Sequence, residues 1–427
     1  MLHWELLGFF VIGYLVIIFD RCLHVNKAAV ALVMSVVCWV IYFAQGGHSD
    51  TMSVLTEHIY EVAQIIFFLL AVMVIVEIID SHHGFRLVTD LIYTASRRRM
   101  LWFLILVSFF MSAVLDNLTS MIVVISMMRK MIHDNKERWF IGSIIVIAVN
   151  AGGAWTPIGD VTTTMLWIHE KITTWQTIKT LFLPSVVCAG ISGLIATFMI
   201  DGKQKNLVEG SFHHAPIEPG GRRVFFLCVA VLIMIPVWKA LLGLPPFMGA
   251  LLGLGIIWIL TDVMHLRYGE ERWHLRVLHA LTKVDISGIF FFLGILVAID
   301  ALDTAGLLKR FAVLLESWVP NQYWVAAVIG FISSIIDNVP LVAATMGMYG
   351  SAEFPVDAPL WQLIAYAAGT GGSMLIIGSA AGVVFMSLEK VDFFWYAKRI
   401  SWIAMMGYGA GFATYFLTRQ IAASLSM

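Results

Sequence analysis

Residues 109–125 read FFMSAVLDNLTSMIVVI, and residues 330–346 read GFISSIIDNVPLVAATM. Each stretch carries an Asp-Asn pair, Asp116-Asn117 and Asp337-Asn338, in otherwise apolar sequence and behind a run of small residues. The two copies stand about half the chain apart. An ionisable group at membrane depth costs roughly 2.5–3.5 kcal/mol on insertion scales. Two such costs at matching places in two halves of one chain point to a function. The simplest is to hold a cation between two repeats.

The surrounding composition sets the class. The chain has 427 residues, of which 60% are hydrophobic and 13% charged, against about 25% charged in a soluble protein. Apolar runs recur along its whole length, so the sequence predicts an all-α polytopic membrane protein. The net charge of −1 excludes a basic footprint for nucleic acid. Cys22, Cys38, Cys188 and Cys228 have no metal spacing, and three of them, within or beside apolar runs, read as small core residues. The pairs His82-His83 and His213-His214 read as solvated loop histidines, with pH sensing as the alternative. The N-terminus reads as a first span rather than a signal peptide, because no basic residue precedes its apolar run and Glu5 lies within it.

Full spans are expected at about 2–19, 28–44, 62–79, 139–170, 180–200, 224–241, 247–262, 286–302, 360–389 and 395–418. The segments at about 100–132 and 322–350 carry the Asp-Asn pairs at their middles. Each half of such a segment is short of the roughly 20 residues a crossing needs. Both therefore read as re-entrant hairpins with Asp-Asn at the tip. With the termini outside, this topology puts most of the 27 basic residues on the cytoplasmic side. Reading either hairpin as two spans reverses that bias. The chain then divides into residues 1–200, a cytoplasmic linker 201–223, residues 224–418 and a tail 419–427. Each half holds five spans and one hairpin, and an odd span count inverts the second copy, a pattern of secondary transporters. GFRLVTDLIYTAS (84–96) has the spacing of an interfacial helix.

A second polar interruption also repeats. NAGGAWTPIGD (150–160) matches GTGGSMLIIGS (369–379), pairing Asn150 with Gly369, Gly152-Gly153 with Gly371-Gly372, and Gly159 with Gly378. Glycine pairs and Pro157 disfavour a regular helix, so the spans 139–170 and 360–389 are expected to break. Close helix packing at small residues is the blander reading.

Sodium is a hard cation that takes oxygen ligands. Broken helices and hairpin tips offer free carbonyls at helix C-terminal ends, where the dipole is negative. Asp116, Asn117, Asn150 and Asp160 form the candidate Na+ ligand set, with Ser112, Thr119, Ser120, Thr162 and Thr163 adding neutral oxygens. Asp337, Asn338, Ser333, Ser373 and Ser379 are the second-half counterparts, and Ser379 stands where the first half has Asp160. A carboxylate that binds either a cation or a proton gives obligatory exchange if both states are populated at working pH, and Asp116 is expected to lead it. The alternative for Asp116, Asp337 and Asp160 is helix capping. Glu77, Asp80, Asp285 and Asp300 lie at span ends and read as solvated interfacial residues or as a proton path. The tryptophans and tyrosines read as interfacial anchors or packing.

SAVLDNLTS (112–120), NAGGAWTPIGDVTTTMLWI (150–168), VMVIVEIIDSHHGF (72–85) and FFWYAKRISWIAMMGYGAG (393–411) closely resemble NhaD-type sodium/proton antiporters of the ion transporter superfamily. The likeness covers about residues 5–418. It implies a bacterial inner-membrane exchanger of Na+ or Li+ for H+, often active at alkaline pH, with no cofactor. It also implies a homodimer through scaffold spans and a transport domain of hairpins and broken helices. The family's polar positions fall on Ser112, Asp116, Asn117, Thr119, Asn150, Asp160, Thr162 and Thr163, and less closely on Ser333, Asn338 and Ser373. The second tip departs from the pattern, since Pro340 replaces the counterpart of Thr119.

An anion carrier of the same superfamily, for arsenite or a carboxylate, would want Arg or free helix N-termini. No Arg falls within either tip or break. An intramembrane aspartyl protease would need a GxGD motif, and PIGD (157–160) lacks its first glycine. A channel would share the repeat without needing titratable tips.

Overall fold

The computed structural model describes residues 4–18, 23–44, 51–89, 96–132, 134–200, 218, 220–265, 273–319, 321–350 and 353–425. The regular structure of those residues is all helical, with no strand among them. The first half runs α1 (Trp4–Ile18), α2 (Lys27–Ala44), α3 (Thr51–Ser81), α4 (Arg86–Thr89), α5 (Arg97–Ser112), α6 (Asn117–Met131), α7 (Asn135–Gly153), α8 (Val161–Ile168) and α9 (Thr174–Met199). The second runs α10 (Gly221–Leu242), α11 (Pro246–His265), α12 (Val277–Lys283), α13 (Ile286–Thr304), α14 (Leu307–Trp318), α15 (Gln322–Ser333), α16 (Asn338–Met348), α17 (Pro359–Gly371), α18 (Ala380–Glu389), α19 (Phe393–Arg399) and α20 (Ser401–Leu425). Six of the described helices, α2, α3, α9, α10, α11 and α13, are long and apolar enough to cross a membrane. The protein is a polytopic, multi-pass membrane protein.

The helices flanking the Asp-Asn pairs are short. α5 and α6 have 16 and 15 residues, and α15 and α16 have 12 and 11. The spans expected at 139–170 and 360–389 break as the glycines required, at 154–160 and 372–379. In both halves the helix that precedes the tip packs on the first arm of the broken helix, α5 on α7 and α15 on α17.

The glycines show why. A Cβ on Gly152 would lie 2.2 Å from the Phe109 carbonyl oxygen, and one on Gly371 would lie 2.2 Å from that of Gly330. A Cβ on Gly159 would meet the Ser112 carbonyl at 2.7 Å, and one on Gly378 that of Ser333 at 2.6 Å. The same close approaches occur at the same places in each half. Backbone cannot yield to a methyl group at these distances. Gly152→Ala and Gly371→Ala are therefore each expected to cost about 3 kcal/mol or more, seen as a lower melting temperature of the purified protein or loss of monodisperse material.

Several boundaries differ from expectation. The span expected at 62–79 begins at Thr51, because Glu57, His58 and Glu61 continue the helix while lowering its hydropathy. The region 395–418 divides into α19 and α20, and α20 runs on to Leu425, so 419–425 is helix rather than tail. Its sequence there, RQIAASL, has no Gly or Pro to stop it. α12 and α14 were not expected; they are short and amphipathic, with charged residues that hide them from a hydropathy reading. The interfacial helix expected at 84–96 is described only to Thr89, as the single turn α4, and 90–95 lie outside the described residues. The linker 201–223, with His213 and His214, is likewise outside them except for residues 218 and 220–223, and so is Cys22. Cys38, Cys188 and Cys228 are buried and free, as expected of core residues. His82 is not solvated. It is fully buried with Nε2 3.0 Å from His265 Nε2, while His83 is exposed.

Candidate functional site

Four helices begin at the tips and breaks, and each opens on a capping side chain from the chain itself. Asp116 caps α6, Asp160 caps α8, Asp337 caps α16 and Ser379 caps α18. Helix N-termini carry unsatisfied N–H groups and a positive dipole end, and a carboxylate satisfies both. Asp160 Oδ1 accepts from the Thr162 N–H and from Thr162 Oγ1, both at 2.9 Å. Asp116 accepts from the Thr119 N–H at 2.8 Å and from Thr119 Oγ1 at 2.9 Å. Asp337 accepts one bond, from the Val339 N–H at 3.2 Å. Pro340 is the reason, since it has no N–H where the first half has Thr119.

The two tips also differ in backbone. Asp116 sits at φ 123° and ψ 161°, a region that glycine normally occupies, whereas Asp337 has φ −50°. Holding a residue there costs on the order of 1–3 kcal/mol and requires support from its surroundings.

One polar cluster joins the two halves. Asn117 Nδ2 donates to Asp160 Oδ2 at 2.9 Å and lies 3.4 Å from Asn150 Oδ1. Asn150 Nδ2 donates across to Ser373 Oγ at 2.9 Å and Ser379 Oγ at 2.8 Å. Asn117, Asn150, Asp160, Ser373 and Ser379 are all buried. Tyr396 fixes the second break by donating to the Ser373 carbonyl at 2.8 Å, and Thr156 fixes the first by donating to the Ala113 carbonyl at 2.7 Å. The buried hydroxyls of Ser112, Ser120 and Thr163 have no hydrogen-bond partner among the described residues. Buried unpaired hydroxyls are uncommon, and these three lie in or beside the tip and break segments that carry Asn117 and Asp160. That donor set, rich in neutral oxygens with carboxylate charge, suits a hard monovalent cation.

Not every expected residue joins the cluster. Ser333 Oγ donates to the Ala368 carbonyl at 2.8 Å and so supports the second break. Asn338 is buried at the second tip. Glu77 pairs with Lys283 at 3.3 Å, Asp80 is exposed, and Asp285 caps α13 through the Gly288 N–H at 2.9 Å. Asp300 lies at the other end of α13, 3.6 Å from His58. At 1.5 Å per residue, α13 separates Asp285 from Asp300 by about 22 Å.

Residues that sequence reading missed tie the two halves together. Glu389, at the end of α18, accepts from Arg129 Nε at 2.6 Å and from Arg138 Nε at 2.9 Å, and Trp139 Nε1 donates to its carbonyl at 3.0 Å. Asp357 accepts from Thr173 N and Oγ1, both at 2.7 Å, and ties the loop after α8 to the loop before α17. In sequence each looks like a charge at a span end, and the partner half is invisible there. A cavity of about 290 Å³ lies between α3, α8, α13 and α16, lined among others by His58, Glu61, His169, Asp300 and Asp303.

The chain matches a family described as citrate transporter over residues 14–369. It is 50% identical over 417 residues to sodium/proton antiporter 1 of Arabidopsis thaliana, covering 96% of this chain and 72% of that one. It is 50% identical over 410 residues to sodium/proton antiporter 2 of the same plant, covering 95% of this chain and 97% of the other. It is 26% identical over 441 residues to the Na(+)/H(+) antiporter NhaD of Alkalimonas amylolytica, covering 96% of this chain and 89% of that protein.

Proposed function

The chain belongs to the citrate transporter family and, within it, to the NhaD-type sodium/proton antiporters of the ion transporter superfamily; from that premise we propose that it exchanges Na+ or Li+ for H+, with cation and protons competing for Asp116 and Asp160. The observation that carries this reading is the bridge Asn117–Asp160, continued through Asn150 to Ser373 and Ser379. It gathers a carboxylate, amides and hydroxyls from both halves into one buried place. Asn117, Asn150 and Asp160 supply oxygens there, and Ser112, Thr163 and the second-half serines complete a shell. Thr119 and Thr162 hold the carboxylates of Asp116 and Asp160 in position through their N–H and hydroxyl groups.

Competition makes the exchange obligatory. A carboxylate engaged by a cation cannot also carry a proton, so loading one species on either side releases the other. The family also includes citrate carriers by its description, and helix N-termini suit anions. In this chain the N-termini of α6, α8 and α16 are already capped by its own aspartates. An arriving carboxylate would meet negative charge, which favours the cation reading.

The tips act as re-entrant hairpins in two inverted repeats, 1–200 and 224–418, in this proposal. Its support is the brevity of α5, α6, α15 and α16 and the repeated glycine contacts. The distribution of basic residues supports both termini outside; in this reading the membrane is a bacterial inner membrane, and the spans beyond the hairpins and breaks would form a homodimer. Everted vesicles with a pH-sensitive dye test the function. Added Na+ or Li+ should move protons out of acidified vesicles, whereas citrate or arsenite should not. Sodium entry without proton movement would mean a channel.

A further inference from the structure

We propose that Gly369 determines which cation the site accepts, by keeping open the space beside Asp160. This rests on the exchange reading above. Gly369 lies in the last turns of α17, fully within the helix and buried. Glycine is the poorest helix former after proline, so its presence inside a helix calls for a reason. Backbone conformation is not the reason, because the positive-φ glycines among the described residues are Gly220, Gly243 and Gly306.

Close backbone approach is not the reason either. At Gly152 and Gly371 an added Cβ would strike a carbonyl oxygen at 2.2 Å. At Gly369 it would meet Ala154 Cβ at 3.2 Å, Asp160 Oδ2 at 3.6 Å and Ala154 Cα at 3.8 Å. The methyl fits with an adjustment of a few tenths of an ångström. What it would do is stand against Asp160 Oδ2, the oxygen that also accepts from Asn117.

The repeat sharpens the point. Gly369 is the counterpart of Asn150, whose side chain fills its own position and bonds to Ser373 and Ser379. One half supplies an amide and the other leaves a gap. The methyl-sized space borders Asp160 Oδ2, which an added Cβ would approach to 3.6 Å. A hard cation engaging Oδ2 there would be selected by the size of that space, as ion size and ligand number select among hard cations elsewhere.

The test uses full-length protein in everted vesicles, measuring KM and maximal rate for Na+ and Li+ separately. In Gly369→Ala the KM for Na+ is expected to rise about five- to tenfold and that for the smaller Li+ by less than about twofold, with maximal rates little changed. The double variant Gly369→Ala/Ala154→Gly removes the 3.2 Å contact and keeps the methyl beside Asp160. It should show the same change in the Na+/Li+ ratio, and it serves as the folded variant if the single one is unstable. An unchanged ratio in either variant would overturn the assignment, and so would a return to the wild-type ratio in the double variant, which would mark Gly369 as a packing residue. Wild-type flux reports on the parent reading separately. Its absence sinks the exchange proposal, whereas normal flux with an unchanged ratio sinks only the role of Gly369.

Discussion

Asp160→Asn abolishes sodium-driven proton movement, lowering the initial rate in everted vesicles by about a hundredfold or more, equivalent to about 2.7 kcal/mol of lost stabilisation. Asp160 is 1% exposed and is the carboxylate that Asn117 reaches. Asn keeps the shape and caps a helix about as well as Asp, so α8 should still start at Val161. It removes the charge that attracts the cation and the group that takes up the proton. It also creates a local conflict. An amide at 160 can offer its oxygen to Thr162 or to Asn117, but not to both, so one hydrogen bond is lost at a cost of about 1 kcal/mol. That is too little to unfold the protein, and the melting temperature should fall only slightly. The loss of flux should also be independent of pH, because an amide does not titrate. If the variant retained pH-dependent exchange, Asp160 would be a cap and nothing more, and the proton site would lie elsewhere.

The tips and breaks were legible because they are exceptions. Asp116-Asn117, Asp337-Asn338, Asn150 and the paired glycines stand out against an apolar background in which little else is polar. The place of the helix ends followed from glycine and proline. Partner choice was less visible. Asn117 and Asp160 are far apart in sequence, and only packing of α6 against α7 and α8 against α17 decides that they touch while Asp116 turns to Thr119. α14 went unseen because Lys309, Arg310 and Glu316 interrupt its apolar face in sequence. The buried contact between His82 and His265 is another such case, since adjacency to His83 suggested a loop. Sequence displayed the unusual residues, and the third dimension assigned their neighbours.

That division also explains the unequal tips, and it leads to the second large effect. Asp116→Asn is expected to reduce exchange by about tenfold or more, while Asp337→Asn stays within about threefold of wild type. The carboxylate of Asp116 accepts two bonds from Thr119 and sits on a backbone at φ 123°. Its counterpart has ordinary backbone and one longer bond. Strain of about 1–3 kcal/mol is retained at Asp116, and the next residue, Asn117, makes the bridge to Asp160. Asp116→Gly separates strain from function. Glycine adopts φ 123° without penalty and is only slightly worse as a cap, so the melting temperature should be unchanged or higher. Exchange should still be lost, because the charge and the fixed Thr119 contacts are gone. A capping role alone would leave exchange intact in Asp116→Gly. Equal losses in Asp116→Asn and Asp337→Asn would instead mean that both tips bind ions, and the asymmetry introduced by Pro340 would have no bearing on transport.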